Sequence, residues 1–259
     1  MPFLDVHDVR IRYEWSGPET APVLVFSNSL GTDLAMWDSQ TAALSRDFRI
    51  LRYDTRGHGR SSVMPGPHTM NHLADDVVGL LDELELEHVH FCGLSIGGLT
   101  GMSLALRAPQ RLRRVVLCNT AAKIGSAEIW NARIDAVHNG GMAAVVPGIL
   151  ERWYTAEFRS ASPEAVESTR RMLLNTPVEG YAGCCAALRD ADLRNEIAGI
   201  RLPVLIIAGA HDPATTPADG RFLAERIAGT RYVELRAAHL SNIEASDAFT
   251  MELSAFLKA

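Results

Sequence analysis

The residues with the clearest chemical potential are Gly93-Leu94-Ser95-Ile96-Gly97-Gly98, a G-x-S-x-G run that closes an apolar stretch. His88 to Cys92 reads as a buried strand and Gly98 to Ala108 as a helix. A serine at such a strand–turn–helix junction sits in a strained backbone conformation, its hydroxyl presented above the sheet. Side chains two positions before or after it would collide, and Gly93 and Gly97 remove them. The chemistry implied is acyl transfer. A serine hydroxyl attacks a carbonyl only when a base takes its proton, and the base needs a third group to orient it.

The expected chain order is serine, acid, histidine. A strand ending at Gly209 is followed by Ala210-His211-Asp212-Pro213, and one ending near Leu235 by Arg236-Ala237-Ala238-His239. Both segments fall in loops at the carboxyl ends of strands, on the same edge as Ser95. Asp212 and His239 are therefore expected to complete a triad. His211 adjoins Asp212 but points to the other side of an extended chain, which favours a loop role. His58 belongs to the glycine-bent loop Asp54–Ser61 and reads as structural. His68 and His72 are four apart without a third ligand, so no metal site is expected, and no cofactor. After Val115–Cys118 comes Asn119-Thr120-Ala121-Ala122, with no carboxylate to rival Asp212. The oxyanion of acyl transfer needs preorganised N–H donors. Those of Ile96 and of Leu30, in the loop Asn28-Ser29-Leu30-Gly31, are the candidates.

Strands and helices alternate around these residues. Residues 2–16 read as an antiparallel hairpin turning near Asp8. Val23–Ser27 and Phe48–Tyr53 read as strands, Leu34–Leu44 and Leu73–Leu84 as helices, and Leu202–Ala208 and Arg231–Leu235 as later strands. The pattern predicts an α/β fold, a mostly parallel twisted sheet flanked by helices, with ligands bound beyond the carboxyl ends of the strands. From about Ala121 to Gly199 the alternation stops and short helical patterns take over, punctuated by Gly140-Gly141, Pro147, Pro163 and Pro177. The expected organisation is a core of residues 1–120 and 200–259 with a helical cap, 121–199, inserted into it.

Composition narrows the setting. A net charge of −6 without any basic run argues against a nucleic-acid partner. The longest apolar runs, such as Leu202–Ala210, are too short to span a bilayer, so no membrane association is expected. The four cysteines have neither metal-ligand spacing nor disulfide-scaffold density. Met1–Asp5 lacks a charged leader before an apolar core. The expectation is a soluble protein of a reducing cytoplasm.

The chain resembles the 3-oxoadipate enol-lactonases of the α/β-hydrolase superfamily in Asn28-Ser29-Leu30-Gly31-Thr32-Asp33, Tyr53–Gly59, Gly93–Gly98, Gly209–Pro217 and His239-Leu240-Ser241-Asn242-Ile243-Glu244. The first and last segments discriminate; the others occur across many hydrolases, and many relatives carry His-Gly at Asn28-Ser29. The resemblance implies hydrolysis of a five-membered enol lactone with an acetate arm. The product would be 3-oxoadipate, an intermediate of the β-ketoadipate pathway of aromatic-compound degradation. The substrate is a small anion. Trp130 and Arg133, three apart, share a helical face, with Trp153 on a later helix. The resemblance favours Arg133 as the carboxylate partner and the two tryptophans as pocket wall, with Arg152, Arg159, Arg170 and Arg171 as competitors. The rival readings are another cap-bearing serine hydrolase, an esterase or C–C bond hydrolase, and a hydrolase-fold ligand receptor.

Overall fold

Branched and aromatic residues in short runs build the strands. The computed structural model describes residues 2–259. In it β1 (Phe3–Val6) and β2 (Val9–Ser16) form an antiparallel hairpin, Leu4 opposite Ile11, that turns at His7-Asp8. There follow β3 (Val23–Ser27), α1 (Asp38–Leu44), β4 (Arg49–Tyr53), α2 (Met70–Glu83), β5 (Val89–Leu94), α3 (Ile96–Arg107) and β6 (Leu112–Cys118). The chain then leaves the sheet for α4 (Ala127–Gly140), α5 (Val146–Trp153), α6 (Ala156–Ala161), α7 (Pro163–Asn175) and α8 (Val178–Asp190). It returns through β7 (Val204–Gly209), α9 (Pro217–Arg226), β8 (Arg231–Leu235), α10 (Ser241–Glu244) and α11 (Ser246–Lys258).

The eight strands lie in the order β1-β2-β4-β3-β5-β6-β7-β8, antiparallel at β1/β2 and β2/β4 and parallel elsewhere. The chain runs outward from β3 to β4, then re-enters on the other side of β3 as β5. Ligands bind in open α/β sheets at such a reversal, where loops diverge and leave a crevice. The loops after β3 and β5 carry Leu30 and Ser95. Every residue of β5 and β7 is buried, as parallel strands covered on both faces require.

Most expected elements shift by a few residues at their ends, and three of the shifts have a local cause. The helix expected over Leu34–Leu44 opens as a 3-10 turn, Leu34–Trp37, capped by Asp33, whose carboxylate accepts from the Ala35 N–H at 2.9 Å. That turn seats the fully buried Trp37 against Phe26, ring centroids 4.4 Å apart. α2 starts earlier than its apolar periodicity because Thr69 caps it, accepting from His72 N–H at 3.2 Å. β7 starts at Val204 because Pro203 has no N–H to give the ladder, though its carbonyl accepts from Val115.

The helices between β6 and β7 rest on the loops at the sheet's carboxyl edge. Thr176 donates to Gly31 O at 2.8 Å, and Leu240 N–H donates to Trp153 O at 3.2 Å. The closest approach is between Gly57 and Gly180, where a Cβ on either would strike the other's backbone. Among the described residues no helix is long and apolar enough to cross a membrane.

Gly180→Ala must push α8 away from the Gly57 loop. Overpacking of this kind costs about 1–3 kcal/mol. The melting temperature should fall by roughly 3–10 °C for a chain of this size. An unchanged melting curve would show that the contact has slack.

Candidate active site

Ser95 lies between the last residue of β5 and the first of α3, with φ 60° and ψ −117°. A non-glycine residue there is strained and persists only where its surroundings hold it. They do so through backbone groups. Ser95 N–H donates to Cys118 O at 2.9 Å, and Ser95 O accepts from Thr120 Oγ1 at 2.8 Å and Gly98 N–H at 2.9 Å. A Cβ on Gly93 would meet the Gly97 carbonyl, and one on Gly97 the carbonyls of Ser27 and Asn28. Only 6% of Ser95 is accessible. Its hydroxyl opens into a cavity, not onto the outer surface.

That cavity, of about 370 Å³, is lined from below by Leu30, Ser95 and His239 and from the helices above by Trp130, Arg133, Arg152, Trp153 and Tyr181. The loops after β7 and β8 bring Asp212 and His239 together, Nδ1 to Oδ2 2.8 Å. His239 packs under the Trp153 ring, centroids 5.8 Å apart. Ser95 and His239 share the cavity without a hydrogen bond between them among the described residues. The ring's bonds run through Nδ1, to Asp212 and, at 3.3 Å, to Thr215. Such contacts commonly tighten only once substrate is seated.

Asp212 is 3% accessible. Its Oδ1 accepts from the N–H groups of Ala214 and Thr215 at 2.8 and 3.1 Å. Its Oδ2 accepts from Thr215 Oγ1 at 2.7 Å, Asn119 Nδ2 at 3.0 Å and His239. Burial pushes this carboxyl's pKa up, but the His239 charge and these bonds outweigh burial and bring it down to about 2. Asn119 also donates to Ala238 O at 3.1 Å and accepts from Ser241 Oγ at 2.5 Å. It thus joins the aspartate to the histidine loop.

The Leu30 and Ile96 N–H groups donate to no other group among the described residues. Ile96 opens α3, where N–H groups have no partner within the helix. The Leu30 loop is pinned by Asn28, which donates to Tyr53 O at 2.8 Å and accepts from Trp37 Nε1 at 3.1 Å. Gly31 turns it with φ +82°.

The structure separates the cap arginines. Arg133 Nη1 donates to Tyr181 Oη at 3.3 Å, and its guanidinium lies 5.5 Å from the Trp130 ring. Arg152 lines the same cavity. Arg159 instead donates to the carbonyls of Glu151 and Tyr154, Arg170 faces Glu167 at 3.7 Å, and Arg171 is exposed. His211 is exposed outside the cavity, and His58 is buried and held down to about 4 by burial, hence neutral.

Sequence reasoning assigned nothing to Thr215, Asn119 or Glu244. Glu244 accepts from Ala238 N–H at 2.9 Å, from Thr155 N–H at 3.2 Å and from Thr155 Oγ1, tying α10 and the histidine loop to the start of α6. Asn119 carried one signal, standing first after a buried strand; its partners are distant in sequence.

The depressed Asp212 carboxyl stabilises the fold above its unfolded pKa near 4, and this is lost as pH falls through about 2. Asp212→Asn should cost about 2–3 kcal/mol at pH 6 relative to the parent, shrinking to about half that by pH 3. Denaturant melts at the two pH values measure the gap. A gap independent of pH would assign the loss to a misplaced amide, not to the missing charge.

A family model for the alpha/beta hydrolase fold matches residues 22–246. The chain is 45% identical over 255 residues to 3-oxoadipate enol-lactonase 2 of Acinetobacter baylyi, covering 98% of this chain and 96% of that one. It is 43% identical over 244 residues to 3-oxoadipate enol-lactonase 1 of the same organism, covering 94% and 91%. The crystal structure of the enol-lactonase from Burkholderia xenovorans LB400 superposes with a TM-score of 0.98 at 50% identity, covering 100% of both chains. With a buried carboxylate–histidine pair, a strained serine and this similarity along its length, the chain belongs to the α/β-hydrolase fold family, in the group that holds the 3-oxoadipate enol-lactonases.

Proposed function

We propose that this protein hydrolyses 3-oxoadipate enol-lactone to 3-oxoadipate, the activity that its relatives' names carry. The observation that carries the reading is a single cavity lined both by Ser95 and His239 and by Arg133, an arginine with no carboxylate partner among the described residues. A triad facing an unneutralised cation suits an ester that is itself an anion.

In this reading Ser95 Oγ attacks the lactone carbonyl while His239 Nε2 takes its proton, and Asp212 holds the imidazole by Nδ1. The N–H groups of Leu30 and Ile96 receive the carbonyl oxygen as it gains charge, each worth about 3 kcal/mol in the transition state. The ring C–O bond then breaks and its electron pair leaves on the enol oxygen. An enolate is a better leaving group than an alkoxide, so little proton transfer from His239 is needed to expel it. The leaving group stays tethered to the acyl enzyme and could reclose. The proton that His239 took from Ser95, passed on directly or through solvent to the enolate carbon, gives the ketone, removes that option and leaves the imidazole neutral. Water, deprotonated by His239, attacks the acyl carbonyl and releases the new carboxylate with Ser95 restored. Residues 121–199 act as a cap that holds the acetate arm, with Arg133 on its carboxylate and Trp130 and Trp153 as walls.

Ser95→Ala should retain the circular dichroism of the parent and lose roughly 10⁴-fold or more in enol-lactone turnover. Activity above a tenth of the parent would overturn the assignment of the nucleophile. Arg133→Met should lower kcat/KM for the enol lactone by about 2 kcal/mol. The ratio of this efficiency to that on neutral p-nitrophenyl acetate should fall with it. Equal losses on both substrates would make Arg133 a structural residue of the cap.

A further inference from the structure

We infer that Arg152 is a second specificity-determining cation of this cavity, so that the carboxylate of a small acyl substrate is held between Arg152 and Arg133. The inference deepens the proposed function and rests on its cavity.

The argument begins with how this chain treats its other arginines. Arg56, drawn in from solvent, meets Asp76 through Nε and Nη2, both at 2.6 Å. Arg12 meets Glu14 at 2.5 Å and Asp54 at 3.3 Å, and Arg52 meets Glu14 at 3.1 Å and also Asp38. Each of these three charges is matched by a carboxylate, as the cost of desolvating an ion favours. The half-buried Arg49, Arg114 and Arg159 lack one but rest on Trp15, Phe256 and backbone carbonyls, away from the cavity. Arg133 and Arg152 differ from both groups in where they lie. Both are half-buried and line one cavity, and among the described residues neither has a carboxylate within salt-bridge distance. Arg133 has only the neutral Tyr181 hydroxyl and the Trp130 ring. The Arg152 guanidinium has no hydrogen bond among the described residues.

Placement supports a ligand role for Arg152. It stands in the last turn of α5 and lies back over Gly148, Nη1 3.5 Å from where a Cβ there would be. A larger residue at 148 would compete for that space. The next residue, Trp153, covers His239, so α5 presents the cation and the wall of the reacting end from one turn. Desolvation first, and the charge of Arg133 after it, lower the Arg152 pKa, with Tyr181 and Glu151 opposing them; Arg133 is thus near enough to repel it. An anion between them relieves that repulsion, and a neutral ligand leaves it in place. The cavity therefore selects for charge as well as shape. The ligand class is a short acyl compound whose arm ends in a carboxylate, and short dicarboxylates, which resemble the hydrolysis product, should compete for the site.

Two measurements test this. In the first, glutarate and the neutral glutaramide are assayed as inhibitors of p-nitrophenyl acetate hydrolysis. In the second, the ratio of enol-lactone to p-nitrophenyl acetate kcat/KM is determined. The parent should be inhibited by glutarate far more than by glutaramide. Arg152→Met and Arg152→Gln should each raise the glutarate inhibition constant on the order of tenfold and lower the efficiency ratio similarly, mainly through KM. Arg152→Lys should recover part of both. An unchanged inhibition constant and ratio would overturn the inference. So would equal losses for both inhibitors and both substrates, which mark an arginine that only braces α5. If the parent leaves the enol lactone intact, yet glutarate inhibition is charge-selective and lost in Arg152→Met, the proposed substrate fails and this inference stands.

Discussion

The rest of the site depends on one steric constraint, the passage of the chain from β5 into α3 within a single residue. Ser95 is the only residue between them, at φ 60°. That geometry forces the start of α3 against the ends of β5 and β3, so that Gly93 and Gly97 lie in backbone contact with their neighbours. Four backbone or side-chain bonds hold the strained residue, to Cys118, Thr120, Gly98 and Leu99. In return Ser95 sits at a helix N-terminus, where unpaired N–H groups and the helix dipole favour negative charge. The unpaired Ile96 N–H is a direct consequence of this turn. Strain and electrostatic preparation therefore have one origin.

His239 is positioned by a second, polar constraint. Asp212 accepts five hydrogen bonds, from Ala214, Thr215 twice, Asn119 and His239. In a buried environment such bonds reinforce one another, and leaving one unmade is costly. Asn119 and Glu244 extend the network to the carbonyl and N–H of Ala238, just before His239, and Glu244 carries it into the helices above. The histidine loop and the α5–α6 junction are thereby one mechanical unit. Through it, the position of α5 and α6 bears on the position of the imidazole.

The cavity between these parts is electrostatically unfinished. Its lower wall is largely apolar or neutral, and its upper wall brings two guanidiniums together without a counter-ion. A chain that neutralises Arg12, Arg52 and Arg56 with care leaves these two open where a ligand would sit. Desolvation strengthens the attraction that the open charges exert on an incoming anion.

The sequence by itself determined whatever rests on local sterics and periodicity. The mainly apolar runs of β5 and β7 announced buried parallel strands, and Gly93-x-Ser95-x-Gly97 announced a tight turn, because a missing Cβ is legible without any partner. The order of Ser95, Asp212 and His239 followed from where strands end. The details missed at helix starts, the 3-10 turn at Leu34 and the cap at Thr69, turned on single side-chain hydrogen bonds beneath an apolar pattern. Only the tertiary structure decided which arginines face the cavity. Arg133, Arg152, Arg159 and Arg170 all look alike as charges on amphipathic helices, and their fates depend on how five helices pack over a sheet. Asn119 and Glu244 were equally opaque, since their partners lie across chain separations such as the 93 residues from Asn119 to Asp212 and the 89 from Thr155 to Glu244. A hydrogen bond between distant residues leaves no periodic trace in the chain; it exists only once packing has brought both ends to the same edge of the sheet.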